Sequence, residues 1–272
     1  MAGSSREALT LVRGRLTTLR AELPDAAGVT GIAEGLLSVV RLLDREGNLR
    51  RTLGDPALPA PAKRQLVDGL FASQLEPLAL GLLQDIVAER WSSPRDLVDA
   101  VEVLGVTAVF LVAEADGTLD QVEDELFRFA RTVAREPELR AVLTDRGLAD
   151  DRKQALLNGL LDGKVQEATK RIVEALVVTP RGRTLEDGLS DYADLAADIR
   201  TRTLATVTTA VALDDSQRER LAASLSAQLG HAVQLQVEVD PKVVGGVVVH
   251  VGDEVIDGST RHRLAEARRR LA

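Results

Sequence analysis

At 272 residues the chain is long enough for two or three domains with separate cores, and its 45% hydrophobic and 28% charged content matches an ordinary soluble protein. The absence of cysteine excludes disulfides, thiolate metal sites and cysteine nucleophiles, and His231, His250 and His262 stand in no zinc-binding spacing. A net charge of −8 and an aromatic content of 2% argue against a nucleic-acid surface, which needs cations and stacking platforms.

The first expected helix covers residues 5 to 23, where Leu9, Val12, Leu16, Leu19 and Leu23 recur at helical spacing and Pro24 stops the run. A strongly apolar helix follows over Gly31–Leu43, then helices near Asn48–Leu53, Pro61–Phe71 and Leu75–Ala88. Trp91-Ser92-Ser93-Pro94 interrupts the pattern before a helix that starts near Asp96. Leu104–Glu114 reads as an apolar helix turned by Asp116-Gly117, and Val122, Leu126, Phe129 and Val133 mark one face of the next. Asp150 and Asp151 are placed to cap Arg152–Leu161, and Gly163 ends that element. Ile172, Leu176 and Val177 line a helix that stops before Pro180, and Arg181-Gly182-Arg183 reads as a solvated loop or contact edge. A long helix runs from Leu185 towards Arg200. No apolar run reaches the ~20 residues of a membrane span, and the N-terminus lacks a signal-peptide core, so a soluble, cytosolic protein is expected.

Sliding the chain against itself reveals a repeat. At an offset of 90, Leu36–Phe71 aligns without a gap on Leu126–Leu161. Arg41, Arg45, Glu46, Leu49, Arg50 and Leu53 meet Arg131, Arg135, Glu136, Leu139, Arg140 and Leu143. Asp55, Leu58, Lys63, Leu66, Gly69 and Leu70 meet Asp145, Leu148, Lys153, Leu156, Gly159 and Leu160. Apolar and charged positions agree together, which predicts one helical module present twice.

Beyond residue 203 the hydrophobic period shifts from 3.6 to 2. Val207, Thr209, Val211 and Leu213 predict a strand, Ser216 with Glu219 a capping box for a helix over Gln217–Leu229, and Val233, Leu235, Val237 and Val239 a second strand. Asp240-Pro241 ends that strand, and Gly245-Gly246 allows a sharp bend. Val247–Val251 and Glu254–Ile256 flank the hairpin loop Gly252-Asp253, and Asp257-Gly258-Ser259 turns into a final helix. The glycine pair leads into a strand rather than a helix N-terminus, so a phosphate loop is disfavoured. The expected fold class is mainly α, with two helical-bundle modules over 1–100 and 101–202 and a small α+β domain over 203–272.

The stretch from Val239-Asp240-Pro241 through Gly245-Gly246, Gly252-Asp253 and Asp257-Gly258-Ser259 resembles the C-terminal signature of the F-type ATP synthase delta subunit, the oligomycin-sensitivity-conferring protein family. Ala108–Glu114 with Gly117, Leu119, Asp120, Val122, Glu125 and Leu126 is similar to the start of that family's helical domain. The resemblance covers about residues 104 to 272, and residues 1 to 100 depart from the usual layout as a further helical copy, as in long actinobacterial chains. It implies a free-standing, non-catalytic stator subunit that ties the alpha subunits of the catalytic head to a b-type peripheral stalk, so that proton transport is coupled to ATP synthesis. Such a joint needs contact on the order of 12 kcal/mol for nanomolar binding. The partners implied are therefore protein subunits, with no cofactor, metal, nucleic acid or small-molecule ligand. The membrane would be met only through the complex, on its cytoplasmic side.

In the family the alpha-subunit groove lies between the first and fifth helices of the helical domain, which map to roughly Val106–Glu114 and Val165–Val178. Val109, Val112, Ile172 and Leu176 are the candidate contacts, and filling the module's own core is the alternative role for each. Asp240, Pro241, Gly245, Gly246, Gly252, Asp257, Gly258 and Ser259 are read as structural. Arg261, Arg263, Arg268, Arg269 and Arg270 make the last helix basic, either as a solvated face or for an acidic stalk helix. The carboxylate pairs Asp150/Asp151 and Asp214/Asp215 precede helices and are read as caps, not acid–base machinery. The competing function is a helical-repeat scaffold unrelated to ATP synthase.

Overall fold

The computed structural model describes residues 3–23, 26–211, 213–229, 233–240, 246–251 and 254–257. Among them are twelve helices and four strands, a mainly α chain that ends in an α+β unit. It divides into a compact unit over Met1–Ala196 and a second over Ala197–Ala272.

The first unit holds α1 (Gly3–Glu22), α2 (Ala27–Arg45), α3 (Gly47–Leu53), α4 (Ala60–Phe71), α5 (Pro77–Ala88) and α6 (Pro94–Ala115). It continues with α7 (Leu119–Arg135), α8 (Pro137–Thr144), α9 (Asp150–Leu161), α10 (Glu167–Val178) and most of α11 (Leu185–Thr203). The repeat is visible in the helix bounds: α4 and α9, and likewise α5 and α10, begin and end 90 residues apart. Core positions repeat too, with Leu36, Leu43, Leu53, Val67, Leu82 and Ile86 buried like Leu126, Val133, Leu143, Leu157, Ile172 and Leu176. Even the turns match, since Asp55 accepts from Ala57 N at 2.8 Å and Asp145 from Gly147 N at 2.8 Å.

α6 is one helix where the sequence suggested two. Pro94 starts it, Ser93 Oγ caps it by accepting from Asp96 N at 3.2 Å, and no breaker intervenes before Ala115. Gly105 does not interrupt it, because its bare Cα face lets α2 approach; an added Cβ would lie 3.2 Å from Leu37 Cγ. The expected boundary at 100/101 therefore falls inside a continuous helix, and both copies sit in one compact unit. α6 packs most extensively on α2 and also touches α1, α5, α7 and α10. It follows α5 as the last helix of the first copy and precedes α7 as the first helix of the second.

The second unit is a four-stranded sheet in the order β2-β1-β3-β4, built from β1 (Leu204–Thr209), β2 (Gln234–Val239), β3 (Val247–Val251) and β4 (Glu254–Asp257). β1 runs parallel to β2, so α12 (Asp215–Leu229) is their crossover, and β3 is antiparallel to both β1 and β4. Ala205, Val207, Val249 and Val251 alternate inward and meet Leu225 and Val233. The first strand is shorter than expected: it ends at Thr209, Val211 is exposed, and Leu213 packs on the core from beyond the strand. The cap of α12 is Asp214, which accepts from Gln217 N at 2.8 Å, while Gln217 Oε1 accepts from Asp214 N at 3.0 Å. This reciprocal pair replaces the expected Ser216/Glu219 box, because the helix starts two residues earlier than the sequence suggested.

Candidate functional site

The first unit carries a buried ionic junction on α6. Glu102 lies on an apolar helix face, with Val98 and Val106 buried four residues to either side. It accepts from Arg181 at 2.6 Å, from Arg183 at 2.5 Å and from the Tyr192 hydroxyl at 2.8 Å. Arg181 also pairs with Asp99, and Arg183 lies over the Tyr192 ring at 5.3 Å and within 3.6 Å of Asp191. Arg181 holds a left-handed φ of 54°, a conformation that costs a residue with a Cβ about 1–3 kcal/mol and needs its surroundings to enforce it. Here two carboxylates fix the side chain, and Gly182 (φ 82°) completes the turn.

Burial governs the electrostatics of this junction. It pushes the Glu102 carboxyl above its ordinary value, against the pull of Arg183 and Tyr192. Burial draws Arg181 down to about 10, helped by the Arg183 charge. It also works against the Arg183 cation, but Tyr192 and Glu102 prevail and hold that group above its ordinary value. The Tyr192 phenol is pushed up, first by burial and then by the Glu102 charge. Arg181-Gly182-Arg183 is thus not a solvated loop: the Arg181 side chain is only 9% exposed, and the loop anchors α10 and α11 to α6. The signal in the sequence was Glu102, a carboxylate three residues after Asp99 in an otherwise apolar stretch of helix.

The four predicted groove residues are placed unequally. Ile172, Leu176 and Val109 are buried in the unit's own core, while Val112 is half-buried. Leu176 packs against α11 so closely that a Cβ on Gly188 would lie 2.3 Å from its Cδ1. Asp150 and Asp151 occupy the first turn of α9 without capping it by side chain; Asp150 instead pairs with Arg45. A cavity of about 900 Å³ opens beside the junction, lined from α1, α3, α6, α9 and the Arg181 loop. No cluster of His, Asp or Glu suited to a metal ion is present among the described residues.

In the second unit, Asp240 N donates to Thr209 O at 2.8 Å, which ties the end of β2 to β1. Gly246 has a φ of 82°, the left-handed conformation that the sequence reserved for a glycine there. β3 pairs with β4 in a register that puts Val251 opposite Glu254 and Val248 opposite Asp257. Pro241, Gly245, Gly252, Asp253, Gly258, Ser259 and the final basic helix lie outside the described residues.

A helical repeat followed by a small mixed parallel–antiparallel sheet unit defines the class of the fold, mainly α with an α+β end. The family profile described as the ATP synthase delta (OSCP) subunit matches residues 106–271. An ATP synthase subunit delta from Streptomyces avermitilis is 48% identical over 99% of this chain and 98% of its own length. Those from Thermobifida fusca and Acidothermus cellulolyticus are 45% and 46% identical, each aligned over all of both chains. The chain belongs to the ATP synthase delta (OSCP) subunit family. These relatives match along the first helical copy as well, and the unrelated-scaffold alternative has no support. One chain of a Toxoplasma gondii mitochondrial ATP synthase hexamer structure aligns over 61% of this chain and 94% of its own length, at 20% identity and a TM-score of 0.29, a likeness too loose to inform the fold.

Proposed function

We propose that the chain is a non-catalytic joint in the peripheral stalk of an F-type ATP synthase, holding the catalytic head against rotor torque so that proton transport drives ATP synthesis. The full-length identity of 48% to a protein named ATP synthase subunit delta carries this reading. The second helical copy receives the N-terminal helices of the alpha subunits between α6 and α10. In that groove Val112 contributes accessible surface, and buried Val109, Ile172 and Leu176 form the floor that sets its shape. The α+β unit binds the b-type stalk, aided by the arginines that follow Ser259 in the sequence. The protein meets the membrane only through the complex, on the cytoplasmic side. No helix among the described residues is long and apolar enough to cross a membrane.

The test is co-purification of the full chain with alpha subunits and a b-type stalk subunit. Val112→Ser should weaken capture of the head without unfolding the module, because the residue is only half-buried. Unchanged capture removes the groove assignment, and failure to recover any ATP synthase subunit overturns the joint itself.

A further inference from the structure

The cavity of about 900 Å³ in the first unit is a basic site in an acidic protein. Seven cationic side chains and five carboxylates line it, whereas the whole chain carries −8. Most of those carboxylates are already engaged. Asp99 and Glu102 hold Arg181, Glu102 and Asp191 hold Arg183, and Asp150 holds Arg45, which does not line the cavity. Arg50 spends one nitrogen on the carbonyls of Leu43 and Asp44. Arg95, Arg146 and Lys153 make no side-chain hydrogen bond or ion pair among the described residues.

Lys153 is the most informative of these. The residue is 5% exposed and lines the cavity. Its aliphatic stem is buried while its ammonium stays open to the cavity, where a counter-charge has room to sit. The Arg183 Nε, also buried on the cavity wall, has no hydrogen-bond partner either. Arg95 and Arg146 are exposed, at the outer end of a gradient that leads to Lys153.

We propose that this cavity binds a small molecule bearing linked phosphates, a nucleoside di- or triphosphate or a bare polyphosphate. Guanidinium forks match phosphate oxygens two at a time, and a lysine serves as a point charge at the buried end. The volume lies within the 300–1,000 Å³ range of small-molecule sites and exceeds the needs of a single inorganic phosphate. Val98, Leu148 and Leu195 supply an apolar wall for a nucleoside. The proposal is independent of the stalk role, since it concerns a ligand of the isolated full chain.

Isothermal titration of the full chain with ATP, ADP, tripolyphosphate and inorganic phosphate tests it. Linked phosphates should bind at least tenfold more tightly than inorganic phosphate and weaken as salt rises. ATP tighter than tripolyphosphate assigns the apolar wall to a nucleoside; equal affinities assign the site to polyphosphate alone, and both support the proposal. Lys153→Met should lower affinity about tenfold or more. The exposed variants Arg95→Gln and Arg146→Gln, which leave the core untouched, should each lower it several-fold, while the remote Arg128→Gln should not change it. No heat of binding at millimolar ligand overturns the proposal. So does affinity unchanged in both exposed variants, or tighter binding of an oligoglutamate peptide than of ATP.

Discussion

Removing Glu102 is the sharpest test of how the two helical copies are held together. Glu102→Ala deletes the acceptor of three donors at 2.5–2.8 Å. Each such bond contributes about 1–3 kcal/mol net, and the losses do not add fully, because Arg181 keeps Asp99 and Arg183 keeps Asp191. The expected cost is about 3 kcal/mol. For a unit of this size that lowers the melting temperature by about 6–12 °C, using roughly 2–4 °C per kcal/mol. Glu102→Gln keeps the shape and one acceptor, and burial already favours the uncharged carboxyl, so about 1 kcal/mol is expected.

The pH dependence has a defined sign. A folded-state value above the ordinary 4.5 means that the folded chain binds this proton more tightly than the unfolded chain. The wild-type advantage over Glu102→Gln is therefore full below 4.5 and shrinks as pH rises towards the folded value. Thermal melts of the full chain and both variants at pH 4 and pH 7 measure it. A Gln variant as damaged as the Ala variant at both pH values would show that the charge pairing outweighs desolvation and refute the reasoning. An Ala variant within 1 °C of wild type would show that the junction holds nothing.

Glycine substitutions should separate close packing from mere helix content. Gly54→Ala puts a Cβ 2.7 Å from Pro94 Cα, a backbone atom that cannot swing away, and should cost about 1–3 kcal/mol in denaturant melts. Gly69→Ala and Gly159→Ala, inside α4 and α9 with open space around them, should each stabilise by about 0.5–1 kcal/mol. The Asp214 carboxyl is held below its ordinary 3.8, first by the Gln217 N–H and then by the Ser216 hydroxyl. Its capping contribution is thus present above 3.8 and lost as pH falls through the lower folded value, and a carboxyl NMR titration with a midpoint at or above 3.8 would contradict the cap. If the C-terminal arginines engage an acidic stalk helix, stalk capture should fall between 50 mM and 500 mM salt, and salt-insensitive capture would exclude them.

Periodicity was enough to find most helices because a 3.6-residue apolar stripe is what a bundle must bury. It was enough for the sheet as well, since Val207, Val249 and Val251 alternate with exposed or half-buried neighbours. Helix continuity was harder to read. Only the approach of Leu36 and Leu37, which no local pattern shows, explains why Gly105 sits inside α6. The ionic junction was hidden for a different reason. Arg181-Gly182-Arg183 has the composition of a solvated turn, and its partner Glu102 stands 79 residues away from Arg181, beyond the reach of any local pattern. The groove residues show the same limit: helical spacing marks a side chain as inward-facing, but does not distinguish an intramolecular core from a partner's groove.

The shared helix changes what the duplication means. Had the copies been joined by a linker, each would fold and move alone, and the joint would bend between them. α6 instead belongs to both, with one stretch against α2 and others against α7 and α10. Its 22 residues extend roughly 33 Å at 1.5 Å per residue. Bending one copy against the other would distort its backbone ladder or break the Glu102 junction that clamps the Arg181 loop to it. Close-packed protein interiors resist continuous deformation. For a stator, which works by transmitting force without yielding, duplication through a common helix adds a second copy without adding a hinge.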